Sequence, residues 1–153
     1  MLLQYLFHRS FRVSRKVHFL KSVNEDFSKV YNQIANFENY SSYIPGCSSS
    51  ELVEKNDEFE IGKLEFNFLL RDYEILSKNI LQENKIIIEQ VDGPFNSFKG
   101  EWNISKKNSY ETLIEFGAEF ELPILLNNLL PETAIDIFCE ILIEAFLDRL
   151  SKV

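Results

Sequence analysis

The chain has 153 residues and a mass of 18.0 kDa, which suits one domain with a substantial core. Its 16 basic and 24 acidic residues leave a net charge of −8, a poor footprint for a broad phosphate-binding surface and so an argument against DNA as a partner. Only two histidines are present, His8 and His18, both near the start and outside any ligand-like spacing. That argues against a His-based metal site or a Ser-His-Asp triad. Cys47 and Cys139 stand far apart with no C-x-x-C, and read as free thiols of a reducing compartment. No apolar run reaches the roughly 18–20 residues of a membrane-spanning helix.

The first residues, MLLQYLFHRSFRVSRK, are aromatic, basic and free of acids. Residues 1–21 hold Arg9, Arg12, Arg15, Lys16 and Lys21, so the rest of the chain carries 11 basic residues against 24 acidic ones, a net −13. Residues 1–14 are expected to be a basic tail or an interfacial anchor on anionic lipid, with a mitochondrial-type presequence as the competing reading. Residues 15–153 form the domain. The expected location is cytoplasmic, with peripheral contact to an inner membrane through the basic start (the matrix side in a mitochondrion).

Regular structure is predicted to begin with a strand over Lys16–Ser22. Asn24 is a suitable N-cap, with Glu25 and Asp26 in the first turn and Phe27, Val30, Tyr31 and Ile34 as an apolar stripe ending near Ala35. A second short helix or turn over Phe37–Tyr43 leads to Ile44-Pro45-Gly46-Cys47, where Pro and Gly force a change of direction. From there the pattern switches to period two. Strands are predicted at Glu51–Lys55, Phe59–Arg71, Asp72–Leu81, Lys85–Val91, Phe98–Ile104 and Thr112–Leu122, with turns at Asn56-Asp57, Asp92-Gly93-Pro94-Phe95 and Lys106–Tyr110. The last strand is the clearest, with Thr112, Ile114, Phe116, Ala118, Phe120 and Leu122 alternating against Glu115, Gly117, Glu119 and Glu121. One wet face and one apolar face mark an antiparallel sheet covered on one side.

What covers it is the end of the chain. After Pro131, Ala134, Ile135, Ile137, Phe138, Ile141, Leu142, Ala145, Phe146 and Leu150 recur at helical spacing. Glu132, Asp136, Glu140, Glu144 and Asp148 step by four along the opposite face. The predicted fold is therefore α+β: a curved antiparallel sheet wrapped around a long C-terminal helix, with two short helices after the first strand. A helix gripped in this way need not fill the whole concave surface, and a cavity results.

Three stretches carry a resemblance. Asn39-Tyr40-Ser41-Ser42-Tyr43-Ile44-Pro45-Gly46-Cys47 resembles a Tyr-Pro-x-Phe-Leu-Pro-x-Cys turn, with Ser41 in place of Pro and Tyr43 and Ile44 in place of Phe and Leu. Gly93-Pro94-Phe95, followed by Phe98, Gly100 and Trp102, resembles a Gly-Pro-Phe…Leu-x-Gly-x-Trp segment. Ala145-Phe146…Arg149 resembles the end of a final helix. Together they are similar to the START-like (helix-grip) polyketide cyclase/coenzyme Q-binding family, over about residues 15–150. That family includes ribosome-association toxins and quinone-binding proteins. The resemblance implies an apolar cavity for ubiquinone or another polyprenyl lipid, with no required cofactor, and a carrier or chaperone role in respiration or quinone biosynthesis. It also leaves a ribosome-binding regulator and a small cyclase or dehydratase open.

The expected cavity lining is Leu64, Phe66, Phe68, Leu70, Trp102, Phe116, Phe120, Phe138, Leu142 and Phe146. The expected entrance and turn residues are Tyr40, Tyr43, Pro45, Gly93, Pro94 and Phe95. These apolar faces place almost no nucleophile, base or metal ligand at close quarters, so the expectation is binding, with no catalytic residues and no metal, and a protein that is not an enzyme.

Overall fold

The computed structural model describes residues 14–68 and 70–152. The expected tail or anchor at the start of the chain lies outside the described residues, apart from Ser14. Strand β1 (Ser14–Val23) opens the structure. Helix α1 (Phe27–Ala35) and a 3-10 turn over Phe37–Ser42 follow. Six strands come next: β2 (Cys47–Lys55), β3 (Glu60–Phe68), β4 (Arg71–Leu81), β5 (Lys85–Asp92), β6 (Ser97–Asn108) and β7 (Glu111–Glu121). Helices α2 (Ile124–Leu129) and α3 (Glu132–Lys152) complete it. All seven strands join one antiparallel sheet in the order β1-β7-β6-β5-β4-β3-β2. Hairpins make every contact except β1–β7, which brings the two ends of the sheet sequence together.

Alternation puts Val17 and Phe19 of β1, Trp102 and Ile104 of β6, and Ile114, Phe116, Ala118 and Phe120 of β7 on the concave side. Pairing keeps them in rows. Phe19 lies opposite Phe116, and Phe116 opposite Trp102. Gly46 takes φ 83°, a left-handed conformation open to glycine at little cost, and its carbonyl accepts from Asn67 N at 2.8 Å. Asn56 makes the β2–β3 turn without glycine by accepting from Glu58 N and Phe59 N at 2.8 and 2.9 Å.

The dry core lies where α1 and the second half of α3 meet the sheet. Val23, Val30, Ile34, Ile86, Ile104, Ile114, Phe146 and Leu150 form it. Thr112 is fully buried beside them and satisfied, its hydroxyl donating to the Glu25 carbonyl at 2.7 Å. Gln33 on α1 donates to the Phe146 carbonyl at 2.8 Å and ties the two helices together.

Three sequence expectations need correction. The N-cap of α1 is Asp26, not Asn24, and its side chain makes no capping bond. The strand predicted through Arg71 stops at Phe68, and Arg71, its cross-strand partner, opens the next strand. Ile137 and Ile141, predicted on the buried face of α3, are 57% and 43% exposed. The inward stripe runs instead through Cys139, Leu142, Ile143, Phe146 and Leu147. Between Pro123 and Pro131 the chain forms α2.

Candidate functional site

A cavity of about 840 Å³ lies between the concave sheet and α3. Only Phe146 and Leu150 are buried on that helix, so its first half bridges the hollow instead of filling it. The wall includes Leu64, Phe66 and Phe68 from β3, Trp102 from β6, Phe116 and Phe120 from β7, and Phe138, Leu142 and Phe146 from α3.

The aromatic rings fall into three groups. Trp102 packs on Phe116 at 4.6 Å, on Phe146 at 5.7 Å and edge-on to Phe19 at 5.7 Å. Phe95, Phe98 and Phe120 form a second group, with Phe95 at 5.1 Å from Phe98 and 5.5 Å from Phe120. Phe68 meets Phe138 edge-to-face at 4.9 Å, joining the sheet to the helix across the cavity.

Leu70 does not line the cavity. It sits in the β3–β4 turn, 98% exposed, at φ 61°. The period-two pattern of Leu64, Phe66 and Phe68 continues through it in sequence, but the chain reverses first.

The entrance residues divide. Tyr40, Pro94 and Phe95 face the cavity, whereas Tyr43, Pro45 and Gly93 are absent from its wall. The Tyr40 hydroxyl is not free for a ligand, because it donates to the Ile34 carbonyl at the end of α1. Burial holds its pKa above the usual tyrosine range. Tyr43 lies under Arg149, whose guanidinium is 5.4 Å from the ring centroid. Burial pushes the Tyr43 hydroxyl up to about 12, partly offset by Gln33 and Arg149. Pro45 is exposed on its turn.

Gly93 acts indirectly. A Cβ there would sit 2.5 Å from Gln90 Oε1. That oxygen accepts from Phe95 N at 3.1 Å, while Gln90 Nε2 donates to the Phe95 carbonyl at 2.8 Å. The Gln90 amide thus clamps the Pro94-Phe95 loop against the cavity.

The three resembling stretches meet in space. Trp102 and Phe146 bring the second and third together, and Tyr43 and Arg149 bring the first and third together. One stretch of α3 therefore touches both of the others.

Among the polar residues of the wall, sequence reasoning missed Tyr73, Ser77 and Asn79 on β4 and Gln90 on β5. Their signal is cross-strand register. Tyr73 pairs with Phe66, Ile75 with Leu64, and Ser77 with Gln90, which puts the odd-numbered residues of β4 inside. Cys139 also lines the cavity. Burial and then Asp136 raise its thiol pKa, which keeps it protonated and a weak nucleophile at neutral pH. Among the described residues, no group of three or more His, Cys, Asp or Glu could hold a metal ion. No helix among them is long and apolar enough to cross a membrane.

A curved antiparallel sheet gripping a C-terminal helix over an apolar cavity defines a START-like, helix-grip protein. The chain belongs to the polyketide cyclase / dehydrase and lipid transport family, whose model matches residues 23–149. It is 25% identical to the ribosome association toxin RatA of Escherichia coli over 94 residues, 61% of this chain and 60% of RatA. The match thus spans about three fifths of that relative's length. The fold is similar to the Zhui aromatase/cyclase from Streptomyces sp. R1128, with a TM-score of 0.80 and 15% identity over 92% of this chain and 95% of that one. It is also similar to a START superfamily protein from Mycobacterium smegmatis, with a TM-score of 0.78 and 14% identity over 90% and 97% of the two chains. These findings overturn the expectation of a protein that is not an enzyme. The family's own description names cyclases and dehydrases, and an aromatase/cyclase shares the fold over nearly its whole length. An apolar wall gives no ground for excluding catalysis.

Proposed function

We propose that the protein takes up one hydrophobic ligand, a polyprenyl quinone such as ubiquinone or a similar polyprenyl lipid, and serves as its carrier. The observation that supports this is the hollow under the first half of α3. At liquid water's share of about 30 Å³ per molecule, 840 Å³ is the space of about 28 waters. Its wall is largely aliphatic and aromatic. Leaving such a surface to water is unfavourable by about 25 cal/mol per Å² of apolar area, and an apolar ligand recovers that free energy. Trp102 and Phe116 offer ring faces to a quinone, and the remaining wall offers aliphatic contact to a prenyl chain.

The test is organic extraction of native protein from a quinone-producing host, followed by mass spectrometry, with Leu142→Trp as a variant that fills the cavity. Stoichiometric prenyl lipid in the wild type and none in the variant is the expected result. A ligand-free wild type would defeat the reading. Because the family includes cyclases and dehydrases, the recovered ligand is also compared with the ligand supplied, and loss of water or a new ring would identify conversion.

The likeness to RatA favours a second reading, a ribosome-binding regulator of translation. A net −13 outside the first 21 residues opposes direct contact with RNA phosphates, so the partner surface would be ribosomal protein. Cosedimentation with large ribosomal subunits at physiological salt tests it, and its absence there would argue against it.

A further inference from the structure

The cavity wall is not uniformly apolar: exposed Lys16, His18, Lys21, Asp136 and Glu140 stand along it, and Ser77 and Asn79 are its buried polar residues. Ser77 and Asn79 stand two residues apart on the inward face of β4, each only 6% exposed. Their cross-strand partners are Gly62 and Glu60 on β3 and Gln90 and Ile88 on β5. Gln90 is already engaged, since both ends of its amide hold Phe95. Asn79 is not. Its Oδ1 is buried and has no hydrogen-bond partner among the described residues.

A buried amide oxygen without a donor is costly, and native folds keep few of them. Among the described residues three buried side-chain atoms lack a partner, Arg15 Nη1, Tyr43 Oη and Asn79 Oδ1, and of these residues Asn79 alone lines the hollow. On the same row of the sheet, Ile88, Gly100, Ala118 and Val17 carry no polar side-chain atom.

We infer that Ser77 and Asn79 form a hydrogen-bonding subsite for the polar head of the ligand, and that this head carries a hydroxyl, as a phenol or quinol does. Asn79 Oδ1 accepts the ligand's O–H, and the Ser77 hydroxyl serves the same oxygen or its neighbour. A fully oxidised quinone presents only acceptors and leaves Asn79 Oδ1 unpaired. The subsite therefore selects for the reduced or hydroxylated ring. The rest of the ligand extends from β4 along the apolar wall toward Phe68 and Phe138. This inference rests on the cavity-binding reading above and specifies which end of the ligand lies where.

The test uses two probes of one shape, 4-butylphenol and butylbenzene, titrated calorimetrically into wild type, Asn79→Leu and Ser77→Ala. Loss of one hydrogen bond predicts about tenfold weaker binding of 4-butylphenol to Asn79→Leu, with butylbenzene within about twofold of wild type. Ser77→Ala should weaken 4-butylphenol by about threefold. Replacing an unpaired buried amide with an apolar side chain of similar size should leave the ligand-free melting temperature equal or higher. A lower melting temperature would mean that Asn79 has a structural partner, and would overturn the inference. Equal loss of both probes, or no loss of either, would overturn the subsite while leaving the cavity reading intact. Failure of the wild type to bind either probe would overturn both.

Discussion

The two halves of α3 are built from similar apolar residues and do different work. The second half, around Phe146 and Leu150, is buried against α1 and the sheet in the dry core. The first half, through Ile135, Phe138 and Leu142, is only partly buried and stands over the cavity. Solvent and hollow flank it together: Ile137 and Ile141 face outward while Phe138, Leu142 and Ile143 face the hollow. The lesson is that helical periodicity reports an apolar stripe but not whether that stripe meets protein or empty space. Most of the packing lies at one end of the helix and most of the cavity lining at the other, with Phe146 at the junction.

The largest expected effect lies in the packed half. Phe146→Ala removes a ring that is 7% exposed and packed on Trp102 at 5.7 Å. Truncations of this kind cost about 3–5 kcal/mol, a large share of the stability of a domain this size. Urea denaturation measures it, and a loss near 1 kcal/mol would break the comparison by showing that the packed half is not anchored there. Thr112→Val tests the same region through polarity. It leaves the Glu25 carbonyl without its buried donor, at an expected cost of about 1–3 kcal/mol.

Leu142→Ala sharpens the contrast. The side chain borders a hollow rather than a closed shell, so less packing is lost than at Phe146. The expected stability change is below about 2 kcal/mol, under the usual range for a buried leucine. Affinity for an apolar probe such as butylbenzene should fall severalfold in the same variant. A large loss of stability with unchanged probe affinity would reverse the assignment of the two halves.

The legible parts of the fold are those that one face of one element determines. The alternation in β7 and the four-residue spacing of acids on α3 each identify a solvent face without knowledge of partners. Gly93-Pro94 and Pro45-Gly46 mark turns for local reasons as well. Leu70 was illegible because Leu64, Phe66 and Phe68 set a rhythm that it continues, and leucine is not one of the usual turn residues. Leucine at φ 61° pays a steric cost of about 1–2 kcal/mol, which the flanking β3–β4 ladder must offset. Ser77 and Asn79 were illegible for a different reason. The two faces of β4 are Tyr73, Ile75, Ser77, Asn79 and Leu81 against Asp72, Glu74, Leu76, Lys78 and Ile80, and both are mixed. Only pairing with the unambiguous face of β3 decides which one turns inward, and that register is a tertiary fact.

The smallest effect concerns Cys139, a thiol on the hollow half of the helix. Burial is the main cause of its raised pKa, with the Asp136 charge adding to it. The sign follows from the thiol's neutral form being favoured in the fold. Its contribution to stability is fully present below the unfolded thiol's pKa of about 8.5 and is lost as pH rises through the higher folded value. Alkylation requires the thiolate, so at pH 8 the folded protein should react with iodoacetamide more slowly than the urea-unfolded chain does. The rate should keep rising with pH after a free thiol has levelled off. Cys47 is also raised by burial, but it lies outside the cavity wall, so only Cys139 should be further protected by a bound apolar probe. Peptide mapping after limited alkylation reads both sites in one experiment. Protection of Cys47 equal to that of Cys139 would show that the ligand tightens the whole fold, and the separation between the two halves of α3 would fail.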